Sequence, residues 1–141
     1  MKMAVGVHII ADFYGCPREL LSRVETLKRI FEESARYAGV TLIGARYHQF
    51  EPEGATGILL LAESHIAFHT WPEHGLVTLD VYTCGDPKEA DNVYEFLIKA
   101  LKPKRIKFIK LPRGDEIEDI ALDFEGVIET EVHMGADSEA G

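Results

Sequence analysis

Apolar positions along the chain repeat with two periods, one near two residues and one between three and four. Residues 3–13 are rich in β-branched and apolar side chains, which predicts a strand carrying His8 within it. Leu20, Leu21, Val24, Leu27, Phe31, Ala35 and Ala38 then recur at three- and four-residue steps, the single stripe of an amphipathic helix. Pro17 suits the first turn of that helix and Gly39 its stop, so one helix is expected over residues 17–38. Residues 40–50 read as a strand and 51–54 as a turn. Residues 56–63 form a continuous apolar run, the pattern of a strand covered on both faces. Residues 66–71 and 76–83 follow as two strands joined by a turn at 72–75, where Pro72 and Gly75 interrupt the pattern.

Asp86-Pro87-Lys88-Glu89 carries a helix-start signature: an Asp cap, Pro at the first position and Glu three residues on. Ala90, Val93, Tyr94, Leu97, Ile98 and Leu101 continue it as a second amphipathic helix that stops near Pro103. Residues 105–111 and 127–133 are two further strand candidates, separated by an acidic loop over 114–126, and 135–141 read as a frayed, disordered tail. No repeat or linker divides residues 1–141, so a single domain is expected. Strands that turn back through short loops, with two helices among them, imply the α+β class. The expected architecture is a two-layer α/β sandwich, a mainly antiparallel sheet with both helices on one face.

Composition narrows the partners. With 46% hydrophobic and 28% charged residues the chain is an ordinary soluble globular protein, long enough at 141 residues to bury a core. A formal charge of −9 argues against a nucleic-acid binder, which shows a basic face, and against an anionic membrane surface. The longest apolar run, 57–62, is far too short to span a bilayer, and the first twenty residues lack the pattern of a signal peptide. A cytoplasmic protein with Cys16 and Cys84 as reduced thiols is therefore expected. Asn92 and Gln49 are the sole amides against many Glu, Lys and Arg, a balance found in thermally robust proteins.

The densest chemistry lies in residues 62–85, AESHIAFHTWPEHGLVTLDVYTCG. One serine, three histidines, two glutamates, an aspartate, a tryptophan and a cysteine sit there between strand-like runs. From residue types alone several readings stay open. Zinc could be held by His65, His69 and Cys84, but on a strand His65 and His69 lie about 13 Å apart, too far for one ion. A hydrolase triad could use Ser64, which lacks the Gly-x-Ser-x-Gly setting of a nucleophile elbow. Alternatively the residues are ordinary: satisfied histidines at 65 and 74, Trp71 as a core anchor and Cys84 as a small buried hydrophobe.

A fourth reading comes from resemblance. Glu63-Ser64-His65, His69-Thr70-Trp71-Pro72-Glu73 and Asp80-Val81-Tyr82-Thr83-Cys84-Gly85 resemble the prokaryotic type of S-adenosylmethionine decarboxylase. His8-Ile9-Ile10-Ala11-Asp12-Phe13-Tyr14, His48-Gln49-Phe50 and Gly54-Ala55-Thr56-Gly57 extend the likeness, which spans residues 6–113. That family is self-processing and pyruvoyl-dependent. The resemblance implies that Ser64 attacks the preceding carbonyl, that the Glu63–Ser64 amide becomes an ester, and that β-elimination releases residues 1–63. Dehydroalanine then hydrolyses to a pyruvoyl group capping residues 64–141. No metal is implied.

The resemblance further assigns roles. His69 matches the processing histidine, Thr56 a hydroxyl that assists it, and Cys84 the proton donor of decarboxylation. The pyruvoyl ketone would take the substrate amine as a Schiff base, an electron sink like that of pyridoxal phosphate. Phe50, Trp71 and Glu73 are candidates for holding the adenosyl moiety by stacking and ribose hydrogen bonds. The implied partners are S-adenosylmethionine, whose decarboxylated form is the aminopropyl donor for spermidine, and a second copy in a homodimer. Three departures leave those roles in place: Thr56 where serine is common, Asp12 where Glu is, and Leu76-Val77-Thr78 for Tyr-Ala-Ala. Two alternatives stand beside it, an arginine decarboxylase on the same scaffold and an uncut regulatory homologue without catalysis. Lys102, Lys104, Arg105, Lys107, Lys110 and Arg113 are expected to guard a solvated edge strand.

Overall fold

In the computed structural model, which describes residues 6–114 and 128–132, the chain alternates strands and helices. It runs β1 (Gly6–Tyr14), α1 (Arg18–Leu21), α2 (Val24–Ala38), β2 (Leu42–Gln49), β3 (Ala55–Leu61), β4 (Ser64–Trp71) and β5 (Leu76–Thr83). α3 (Pro87–Leu101), β6 (Arg105–Arg113) and β7 (Ile128–Glu131) complete it. The strands form one antiparallel sheet in the order β2-β3-β4-β5-β1-β6-β7. The N-terminal strand β1 is therefore inserted between β5 and β6.

Alternation along each strand sorts the two faces of the sheet. Ile9, Ala11, Phe13, Leu59, Leu61, Ile66, Phe68, Val77, Leu79 and Val81 are all buried. They meet Leu27, Ile30, Phe31 and Ala35 of α2 and Ala90, Val93, Leu97 and Leu101 of α3, which pack side by side on that face. Each large apolar side chain buried in this way stabilises the fold by about 1.5–3 kcal/mol. Phe31 stacks on Phe68 with ring centroids 4.1 Å apart. Gly57 makes room for that ring, since a Cβ there would lie 2.4 Å from Phe68 Cε2. The two-layer α+β sandwich is the expected one, with both main helices on a single face.

Four expectations need correction. Residues 17–38 do not form one helix, because the chain breaks at Ser22 and Arg23, the latter extended at φ −124° and ψ 141°. The break is held from far along the chain: Gln49 Oε1 accepts the first free amide of α2, from Val24, at 2.7 Å, and Gln49 Nε2 donates to Ser22 O at 2.9 Å. The helix stop at Gly39, with φ 78°, is as read. β3 is covered on one face only, with Ile58 and Leu60 half exposed on the other.

The signature before α3 is half realised. Asp86 Oδ1 accepts from Lys88 N at 2.9 Å, whereas Glu89 does not close the capping box and its Oε1 has no partner among the described residues. β6 is not an edge strand, since β7 pairs with its first half from Arg105 to Phe108. Three of its charges are engaged: Arg105 lies 4.0 Å over the Tyr14 ring, Lys110 pairs with Asp91, and Arg113 donates to His8. Of the loop expected over 114–126, residues 115–126 lie outside the described residues, as does the tail at 135–141. Among the described residues no helix is long and apolar enough to cross a membrane.

Candidate active site

The turn from β3 into β4 carries the Glu63–Ser64 bond, and the structure pins it from both sides. Glu63 Oε1 accepts from Thr41 N at 3.0 Å, and Ala62 N donates to Thr41 O at 2.9 Å. The carbonyl oxygen of Glu63 receives two donors from one residue, the Cys84 amide at 3.0 Å and the Cys84 thiol at 2.7 Å. Two donors aimed at one carbonyl polarise it and would stabilise negative charge developing on its oxygen. Ser64 opens β4 directly opposite Thr83, and Cys84 follows just past the end of β5 with its side chain exposed. Glu89 reaches over Gly85 at this corner; burial, then the charges of Glu63 and Asp86, hold its carboxyl above the usual glutamate range.

The other expected residues gather at the far end of β4. Thr56 and His69 face each other in the β3–β4 register, and their side chains share a 2.9 Å hydrogen bond between Oγ1 and Nδ1. They line a depression of about 250 Å³ with Phe50, Glu53, Thr70, Trp71 and Glu73. The His69 and Trp71 rings lie 6.2 Å apart. The loop that carries Phe50 is tied down by the Arg18–Glu53 ion pair, by Ser22 Oγ on Glu53, by Arg23 on Pro52 O and by Gln49.

These are two half-sites, not one. Ser64 and His69 are five residues apart on one strand, about 16 Å along it. Five is an odd step, so their side chains leave opposite faces of the sheet. The structure brings Ser64, Glu63 and Cys84 together, and it brings Thr56, His69, Phe50, Trp71 and Glu73 together. Within one chain it does not bring the two groups to each other.

A third cluster, missed in the sequence, occupies the face of the sheet opposite the helices. Asp80 Oδ1 accepts from His65 Nε2 at 2.8 Å and from His8 Nε2 at 3.2 Å. Arg113 Nη1 donates to His8 Nδ1 at 2.9 Å, and Tyr82 packs against both imidazoles. By type this trio could ligate a metal. The Arg113 donor requires an unprotonated His8 Nδ1, which leaves the proton on Nε2 pointing at Asp80. The arrangement is therefore a hydrogen-bonded chain across four strands. Burial works to raise the Asp80 carboxyl, but the two histidine bonds outweigh it and hold the group below the usual aspartate range. The β1–β5 register places His8 opposite Tyr82, and only that pairing reveals the trio. Cys16, by contrast, is buried, and burial pushes its thiol up to about 12.

Comparison with known proteins places this geometry. The family model described as S-adenosylmethionine decarboxylase matches residues 7–114. A relative from Thermoplasma volcanium, an S-adenosylmethionine decarboxylase proenzyme, is 50% identical over 133 residues, covering 94% of this chain and 100% of its own length. One of the same name from Aquifex aeolicus is 52% identical over 106 residues, covering 75% of this chain and 78% of its own. The crystal structure of the adenosylmethionine decarboxylase from Aquifex aeolicus superposes with a TM-score of 0.78 at 49% identity, over 80% of this chain and 93% of that one. Matched motifs, shared fold and identity near one half along almost the whole length make this chain a member of the S-adenosylmethionine decarboxylase family.

Proposed function

We propose that the chain is a precursor that cuts itself between Glu63 and Ser64 and then decarboxylates S-adenosylmethionine. Its product would be the aminopropyl donor for spermidine synthesis, made in the cytoplasm. The observation that carries the reading is the Glu63 carbonyl, held by both the amide and the thiol of Cys84. Attack of Ser64 Oγ on that carbonyl carbon places negative charge on an oxygen already facing two donors. Collapse breaks the Glu63–Ser64 amide and leaves an ester. Removal of the Ser64 Cα proton then expels Glu63 as a carboxylate, releasing residues 1–63. Residue 64 becomes dehydroalanine, and water replaces its nitrogen as ammonia to leave pyruvoyl.

The donor set at the corner fits such a group. Once Glu63 departs, the amide and thiol of Cys84 both lose their acceptor, and an oxygen at position 64 can replace it. When formed, the pyruvoyl group supplies an electron sink for decarboxylation at the substrate's α-carbon. Cys84, exposed beside residue 64, is then the group placed to return a proton to that carbon. Phe50 and Trp71 offer stacking surfaces for the adenine and Glu73 an acceptor for the ribose hydroxyls.

Proton removal during cleavage falls to His69, oriented by Thr56, and here the two half-sites matter. His69 cannot serve Ser64 of its own chain, so we assign it to the Ser64 of a second copy in a homodimer. The uncovered sheet face supports this, since Ile10, Ile58 and Leu60 stand there 42–55% exposed around the His8–Asp80–His65 chain. An apolar sheet face of that kind is the usual mark of an interface. No observation favours arginine as the substrate.

Denatured intact mass, with release of labelled carbon dioxide, tests the proposal. Two chains, 1–63 and 64–141, the second with a pyruvoyl terminus, together with turnover of S-adenosylmethionine, are expected. A single uncut chain of 15.8 kDa, or turnover of arginine alone, would sink it.

A further inference from the structure

Among the described residues three polar side chains are fully or nearly fully buried: Ser34, Thr70 and Thr83. The first two have obvious partners. Ser34 Oγ donates to Phe31 O at 2.6 Å, and Thr70 Oγ1 donates to Leu21 O while accepting from Ala55 N, both at 2.9 Å. Thr83 is the exception, since it is 0% exposed and its Oγ1 has no partner among the described residues. A buried hydroxyl in that state opposes folding, and a valine of the same shape would avoid the cost. The orphan sits directly across the β4–β5 ladder from Ser64.

Residues directly opposite in an antiparallel pair share a face, with Cβ atoms about 4.5–5.5 Å apart. Two hydroxyls on such a pair come within hydrogen-bond range after a single side-chain rotation. β-Branching restricts the rotamers of Thr83, whereas Ser64 is free to turn. We propose that Thr83 is a positioning residue for self-cleavage. Its Oγ1 accepts a hydrogen bond from the Ser64 hydroxyl and holds Ser64 Oγ in the rotamer that attacks Glu63.

In that arrangement Cys84 fixes the carbonyl through its oxygen while the neighbouring Thr83 fixes the nucleophile. Adjacent residues at the end of β5, Thr83 and Cys84, would thus hold both partners of the new C–O bond. In the step itself, Ser64 Oγ adds to the Glu63 carbonyl carbon, and its proton passes by way of His69 of the second copy to the departing nitrogen of residue 64. Thr83 gains and loses nothing.

The inference rests on the self-cleavage reading above. Its test follows cleavage of freshly made wild-type, Thr83→Val, Thr83→Ala and Thr83→Ser chains by intact mass, with and without hydroxylamine to trap the ester. Melting temperature is recorded for each. Thr83→Val should melt at or above wild type yet cleave about tenfold or more slowly, with less hydroxylamine-released product. Thr83→Ser should restore both rates, and Thr83→Ala should be slow without the β-branched shape. Cleavage of Thr83→Val and Thr83→Ala at the wild-type rate would overturn the assignment. Build-up of the hydroxylamine-labile ester in Thr83→Val would overturn it too, by placing the role after the attack. A wild-type chain that stays uncut would overturn the self-cleavage reading itself.

Discussion

The two ends of β4 are built from the same ladder and gather different chemistry. At Ser64 a backbone carbonyl is held by two donors beside a serine hydroxyl, and the adjacent His65 leaves the opposite face of the sheet. At His69 an imidazole and its hydroxyl partner line an aromatic-walled depression far from the Glu63–Ser64 bond. Neither end is a complete site. The contrast teaches that a strand separates chemistry as readily as it assembles it, because an odd step along it inverts the face.

The sharpest way to break this comparison is complementation. Ser64→Ala lacks the nucleophile and His69→Ala lacks the base, so neither should cleave when made alone. Made together with distinguishable tags, the two should yield a cut His69→Ala chain, visible by mass. Absence of any cut chain in the mixture would return both half-sites to one protomer. The next largest effect is expected from Leu60→Asp on the uncovered sheet face. A carboxylate on that half-exposed apolar surface should give a monomer by sedimentation and slow cleavage severely, with α2 and α3 still folded by circular dichroism.

Smaller changes sharpen each end separately. Gln49→Ala removes the acceptor for Val24 N and the tether to Ser22 O and Gly54 O, which shape the wall of the depression. It should cost about 1–3 kcal/mol in denaturant unfolding and raise KM more than it lowers kcat. At the Ser64 end, Asp80→Asn tests the bonds that hold His65. The Asp80 carboxyl is lowered in the folded protein, so its contribution is fully present above the ordinary aspartate value of about 3.9. That contribution is lost as pH falls through the lowered value. The variant should therefore lose most stability near neutrality and converge on the wild type at low pH, which flattens the acid limb of its stability profile, and an unchanged acid limb would remove Asp80 from that role.

Most elements follow from periodicity because helix and sheet bury one face each. The stripe from Leu20 to Ala38 is real, yet the break at Ser22 was hidden, since its cause is a side chain at position 49. Ile58 and Leu60 misled in a different way. An apolar residue awaiting a partner reads the same as one under a helix, so β3 looked covered on both faces. The motifs named Ser64, His69, Cys84 and Thr56, but their grouping depends on register. The step of five between Ser64 and His69 was countable in the sequence, whereas the meeting of His8 with Asp80 required knowing that β1 lies beside β5.

That insertion of β1 has a consequence for a protein cut at the proposed bond. Residues 1–63 supply β1, β2 and β3 with α1 and α2, and residues 64–141 supply β4 to β7 with α3, so a cut at 63–64 would leave two interleaved polypeptides. The smaller one is zipped along β1 to a strand on either side, β5 and β6, over almost its full length. Folding of the precursor is a unimolecular event, but reassembly after the cut is a meeting of two molecules. If the chain is cut as proposed, its melting point should rise with concentration even within a single protomer's worth of structure, and dilution after denaturation should recover it poorly. Self-cleavage would turn a foldable chain into a complex that remembers how it was made.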